Sequence, residues 1–250
     1  MRNLKITLAY DGSDYSGWQV QPDCETIQGT LAAAIERVTG SKVLPQGSGR
    51  TDAGVHALAQ VASCQINFGV PTANLQRALN HVLPAAIRVV ETMEVPPDFH
   101  ARKSARAKTY RYRIYRCEIC PPFLARYVYH FPYPIEEDAM REAARIVVGE
   151  HDFTSFAAVD PERGREEHDA SNVRTIYSSE WEREGEEFVY TVRGSGFLHH
   201  MVRNLVGTFL LLGKGTLDCE GLTRILVMRD RSLAGPTAPA CGLYLVSAEY

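Results

Sequence analysis

The chain has 250 residues with 45% hydrophobic and 23% charged side chains, a balance that suits one large or two modest globular domains and excludes a disordered or fibrous protein. A formal net charge of -3 excludes a protein that coats nucleic acid through a general positive field, and no apolar run approaches the ~20 residues of a membrane span. The start MRNLKITLAYDG lacks the apolar core and cleavage site of a signal peptide, so a cytoplasmic protein with no membrane partner is expected.

Residues 3–10 alternate as a strand, with Leu4, Ile6 and Leu8 on one face and Lys5 and Thr7 on the other. GSDYSGWQ reads as a loop. From Thr26 to Thr39, Ile27, Leu31, Ile35 and Val38 recur at helical spacing, and Gly40 is the natural stop. A short strand near 43–47, the Gly-rich loop GSGRTDAGVHA and a strand near 59–66 come next. Pro71 opens a helix to about 81, and Ile87 to Val95 reads as a strand. The second half repeats that order: a strand at 107–116, a helix at about 136–148, strands near 173–182 and 187–193, helices over about 197–212 and 218–228, and a last strand at 243–249. Two βαββαβ passages make an α+β chain of two ferredoxin-like halves, 1–104 and 105–250. Each half is expected to form an antiparallel sheet with helices on one face. Two such sheets side by side leave a cleft in which a nucleic acid could lie. The halves share too little identity to be called a repeat; what is duplicated is the order of elements.

Three further segments stand out. Residues 157–172, AAVDPERGREEHDASN, read as a mobile charged loop whose Arg163 and Arg165 could meet phosphates on closure. From Arg102 to Arg116 the chain carries Arg102, Lys103, Arg106, Lys108, Arg111, Arg113 and Arg116 with no acidic residue between them, interleaved with Tyr110, Tyr112 and Tyr115. That pattern is a candidate phosphate and base contact zone. Six scattered cysteines suit free thiols in a reducing compartment. Cys117 and Cys120 form a lone CxxC with no second pair to complete a zinc site.

The segment richest in chemistry is Gly49-Arg50-Thr51-Asp52-Ala53-Gly54-Val55-His56-Ala57, a loop between two strands. Glycines there permit turns and the close approach of a ligand, and loops on a rigid sheet are where catalytic groups concentrate. It is not a phosphate loop: GxxxxGK[ST] is absent, and the loop leads to a strand, not a helix. Taken alone, Asp52 reads as a turn residue whose carboxylate caps nearby backbone N–H groups.

This segment does not stand alone. GRTDAGVHA, the earlier YDGSDYSGWQ, DFHAR at 98–102, KTYRYRI at 108–114, GEHDFTSF at 149–156, GFLHHMVRNLVG at 196–207 and GLYLV at 242–246 follow one another in a fixed order. In that order they resemble the TruA family of tRNA pseudouridine synthases, over essentially the whole chain. The resemblance implies isomerisation of uridine to pseudouridine in the anticodon stem-loop of tRNA, at tRNA positions 38, 39 and/or 40, by a homodimer whose two subunits both touch each tRNA. It implies Asp52 as the nucleophile, Tyr110 stacked on the target uracil, Arg203 paired with the catalytic carboxylate, and Arg50 holding the RNA and the extruded nucleotide. His56 is expected to orient its loop or to touch RNA.

The chemistry of the residues is compatible with these roles. The reaction breaks the N1–C1′ bond, turns the base and joins C5 to the same carbon, so atoms and electrons balance and no metal or cofactor is expected. A carboxylate nucleophile must be ionised, and an opposed guanidinium offsets the penalty of a dry pocket. Whether it attacks the uracil ring or the sugar carbon stays open. By pattern alone Arg203 lies on a His199, Arg203, Gly207 line of a helix from 197, which is usually solvated, although Gly207 permits close packing. Tyr110 shares a strand face with Tyr112 and Ile114, which reads as core unless that face opens into the cleft. Adjacent His199 and His200 point in different directions and suit no metal.

Two other readings compete. A non-catalytic RNA-binding module with paired RRM-like sheets should show an RNP1-like aromatic pattern, which is absent. An Asp-dependent hydrolase of nucleosides or glycosides should show a second carboxylate in a comparable setting, and none stands out.

Overall fold

The computed structural model describes residues 1–159 and 171–250, so most of the charged loop expected at 157–172, with Arg163 and Arg165, lies outside the described residues. The described residues form ten strands and five α-helices, a mixed helix-and-sheet chain. They divide into two compact units, Met1–Lys108 with Tyr244–Tyr250, and Thr109–Leu243. Chain order puts residues 244–250 with the second half; their packing puts them with the first.

In the first unit, β1 (Arg2–Tyr10) buries Leu4, Ile6 and Leu8 completely, as its alternation requires. α1 (Ile27–Thr39) begins where the Thr26 hydroxyl accepts the Gly29 N–H and ends at Gly40, whose φ of 71 and N–H to the Glu36 carbonyl close the last turn. β2 (Gln46–Gly47) is shorter than the sequence suggests, and β3 (His56–Ile66) starts three residues earlier, at the end of the Gly-rich loop. α2 (Thr72–Val82) follows Pro71 and packs on β4 (Ile87–Val95). β1 lies between β4 and β3, antiparallel to both, and β2 pairs antiparallel with β3. β10 (Leu243–Glu249) runs parallel to β3, matching Tyr244 with His56 and Leu245 with Ala57.

In the second unit, strands β5 (Ala107–Tyr115), β9 (Glu187–Gly194), β8 (Val173–Glu184) and β7 (Gly149–Asp152) lie in that order, and β6 (Tyr129–His130) runs parallel to β5. β8 and β9 form a hairpin through Gly185, which takes φ 60 at the first turn position. Its inner face presents Trp181, stacked on Phe188 at 4.7 Å and edge-on to Phe209, with Tyr190 closing the cluster. The helices are α3 (Glu137–Ile146), α4 (Met201–Gly213) and α5 (Cys219–Met228). α4 starts at Met201, not at 197, because His200 takes a left-handed φ of 58 that interrupts the helix. His199 therefore does not share a helical line with Arg203. Nor is that line solvated: α4 is buried on nearly every side. No helix among the described residues is long and apolar enough to cross a membrane.

Candidate active site

The Gly-rich loop lies in the first unit and is fastened at many points. The Ser48 N–H donates to the Val61 carbonyl at 2.7 Å, and the Trp18 N–H donates to the Thr51 carbonyl at 3.0 Å. A tight turn follows, closed by the Val55 N–H on the Asp52 carbonyl at 3.1 Å, with Gly54 at φ 77 as its position requires. Two glycines of the preceding GSDYSGWQ loop explain how the backbones come so close. A Cβ on Gly12 would stand 2.0 Å from the Val55 carbonyl oxygen, and one on Gly17 would stand 2.6 Å from that of Thr51. The two loops are one packed body.

Asp52 itself is half-buried, between buried Thr51 and exposed Ala53, and Arg50 is half-buried too. His56 is 2% exposed. Its Nδ1 accepts the Gly12 N–H at 3.2 Å and lies 3.2 Å from an Asp11 carboxylate oxygen, while its ring stacks on Tyr244 at 4.8 Å. Of the two roles expected for His56, orienting the loop is the one this burial favours. Arg50, Asp52 and His56 are thus brought together on one clamped segment. Lys108 reaches the same loop: a Cβ on Gly49 would meet its Nζ at 2.9 Å.

Tyr110 and Arg203 belong to the second unit. Tyr110 is 7% exposed and meets Phe197 edge-on at 5.0 Å, while Tyr112, on the same strand face, is fully buried with its hydroxyl donating to the Pro239 carbonyl at 2.7 Å. Arg203 is half-buried on α4 and locked to the 236–241 segment: its Nε donates to the Ala238 carbonyl at 2.7 Å and its own carbonyl accepts the Ala238 N–H at 3.1 Å. The Arg203 charge also opposes the burial that pushes the Tyr112 phenol and the Cys241 thiol up, which puts its guanidinium near both. One turn along the helix, a Cβ on Gly207 would stand 1.7 Å from the Pro236 carbonyl oxygen, so the close packing its sequence position permits is realised.

The basic zone at 102–116 divides. Arg102, Lys103 and Arg106 are exposed. Arg113 instead makes a two-pronged ion pair with Glu187, Arg111 lies 3.3 Å from Glu184, and Arg116 donates to the Phe131 and Tyr133 carbonyls. These three brace their own unit, which the charge pattern alone does not reveal. Cys117 and Cys120 are free thiols. Sequence reasoning also missed Tyr10, Trp18 and Gln60, which reach the loop from β1, from the preceding loop and from β3; the available signal was a glutamine in the apolar run of β3.

Comparison with known proteins bears on this loop and the chain around it. The sequence profile of a family described as tRNA pseudouridine synthase matches residues 6–102 and 143–250. The chain is 51% identical to tRNA pseudouridine synthase A of Solibacter usitatus, with 100% of each chain covered. It is 46% identical to the protein of that name from Moorella thermoacetica, covering 99% of each, and 42% identical to that from Caldicellulosiruptor bescii, covering 100% of each.

Proposed function

The chain belongs to the tRNA pseudouridine synthase family, and from that premise we propose that it turns uridine into pseudouridine in the anticodon stem-loop of tRNA with Asp52 as nucleophile. The observation that carries the assignment is the setting of Asp52: a half-buried carboxylate on a turn whose two flanks, Thr51 and Val55, are buried and hydrogen-bonded. Such a segment can hold one acid in one orientation while leaving it reachable by a base.

The chemistry is an isomerisation, so each bond broken is matched by one formed. The carboxylate bonds to the uracil ring or the ribose carbon, the N1–C1′ bond breaks, the base turns and C5 joins C1′; the bond to the carboxylate then breaks and frees Asp52, C5 loses its proton and N1 gains one. No outside reagent enters the balance, and we propose no cofactor. Arg203 is proposed as the cation that keeps the nucleophile ionised. Tyr110 stacks on the extruded uracil and Arg50 holds the RNA beside it, offsetting the few kcal/mol, about, that base flipping costs. His56 holds the loop to the Gly12 turn.

We further propose that tRNA positions 38, 39 and/or 40 are the targets, that the enzyme is a homodimer, and that it works in the cytoplasm where its substrate resides. The halves 1–104 and 105–250 are proposed to be ferredoxin-like, a reading supported in the first unit by a sheet in which β1 lies between β4 and β3.

Substitution Asp52→Asn tests the central claim. Pseudouridine formation on an unmodified tRNA should fall by about 10³-fold or more, with the thermal midpoint of the protein unchanged. Turnover at the normal rate would remove Asp52 from the mechanism. Mapping pseudouridine in tRNA from cells lacking the protein identifies the target positions.

A further inference from the structure

Gln60 lies near the middle of β3 and is 0% exposed, a place where an amide must satisfy its hydrogen-bonding groups within the protein. Its Oε1 accepts from the Ser48 hydroxyl at 2.7 Å and from the Val61 N–H at 3.2 Å, and its Nε2 donates to the Gly49 carbonyl at 2.8 Å. The Gln60 side chain also counters part of the rise that burial imposes on the Tyr10 phenol. That hydroxyl lies 2.8 Å from Thr51 Oγ1. Three of the loop residues that flank Arg50 and Asp52 are therefore tied to buried polar side chains, Ser48 and Gly49 to Gln60 and Thr51 to Tyr10.

Apolar residues in this volume would leave the Gly49 carbonyl and the Val61 N–H without the partners that Gln60 gives them, so these polar side chains serve the backbone they touch. Their bonds go to the loop and hardly to the sheet that carries them. Thr51 is held twice, by its hydroxyl to Tyr10 and by its carbonyl to Trp18, and Asp52 is the next residue. We propose that Gln60 and Tyr10 are positioning residues of the isomerase: Tyr10 through Thr51, and Gln60 through Ser48 and Gly49, fix where the Asp52 carboxylate stands when uridine arrives. The proposal rests on Asp52 being the nucleophile. Tyr10 acts as a fixed hydrogen-bonding group and not as a proton carrier, because burial pushes its phenol up to about 12.

Tyr10→Phe deletes one hydroxyl and keeps the ring that packs beside Trp18, 6.4 Å away. We expect kcat for tRNA, followed by release of a C5 label from uridine, to fall between about tenfold and about a hundredfold, with KM within about twofold. Thr51→Val should show the same split, Thr51→Ser should recover most of the loss, and the double variant Tyr10→Phe/Thr51→Val should be no slower than the slower single variant. Gln60→Met should behave alike; where it does not fold, Tyr10→Phe decides. Unchanged kcat in folded Tyr10→Phe and Thr51→Val, a loss confined to KM, or multiplying losses in the double variant would overturn the proposal. Asp52→Ala, run alongside, separates the two claims. If it is inactive while Tyr10→Phe is normal, only the positioning role fails; if it is active, the nucleophile assignment fails.

Discussion

A single aspartate performs chemistry only if its neighbours have other work, and in the first unit they do. Thr51 is buried, His56 is spent on the Gly12 turn, and Gln60 holds the Gly49 carbonyl, while Asp52 stays half-buried. Tyr110 is a harder case, because little of its ring is open and Phe197 already meets it edge-on. A ring fixed in advance loses no rotamer freedom when a base stacks on it, so Tyr110→Ala is expected to cut kcat by at least about tenfold while tRNA binding, measured by filter retention, changes by less than about threefold. Normal turnover in that variant would assign the ring to the core alone. Burial also sets a pH limit. The Cys64 thiol is pushed from 9.0 up to about 12 and the Tyr10 phenol from 10.0 up to about 12. Both stay protonated in the folded chain at pH values where the unfolded chain releases its protons, so alkali favours unfolding. Their stabilising contribution is complete below about pH 9 and is lost as pH rises towards about 12. Urea midpoints should fall over that window, and Cys64→Ala should flatten part of the fall.

The elements differ in how plainly they are written in the sequence. β4 occupies the residues its alternation marks, and α1 is bounded by the Thr26 cap and the Gly40 stop, two local signals that tertiary packing did not override. β6 and β7 were not legible, since two or four residues hold too few side chains to show a period. The start of α4 was misread for a different reason: a left-handed backbone at His200 is set by tertiary context, and histidine does not announce it as glycine would. In the candidate site, the loop was legible from its glycines, while Asp52 by residue type read only as a turn residue; the partners of Gln60 were not legible, because a polar residue on a strand reads alike whether it faces water or a loop. Arg111 and Arg113 illustrate the converse, cations that looked available for phosphate and are engaged by Glu184 and Glu187. α4 also shows how close an element can come to its neighbour. Gly207→Ala forces a methyl against the Pro236 carbonyl and should cost about 1–3 kcal/mol, seen as a lower thermal midpoint. Gly69→Ala, with nothing within 4 Å of its Cβ, is the control and should leave the midpoint in place.

On the scale of the molecule, the chain is a tRNA-modifying isomerase whose net charge of -3 gives it no general hold on RNA. Grip must then come from local cations such as the exposed Arg102, Lys103 and Arg106, and a second subunit would double the surface over which one tRNA is held. Sedimentation at micromolar concentration is expected to report a dimer; a fully active monomer would contradict the homodimer. The path of the chain carries one more consequence. The strand that lies parallel to β3 and sets Tyr244 under His56 is made only after all of residues 109–243. During translation the sheet beneath the Asp52 loop therefore stays incomplete while an entire unit is synthesised. A message cut short just before codon 244 would yield a polypeptide with every proposed active-site side chain and an unfinished sheet beneath the Asp52 loop, and that product is expected to be inactive.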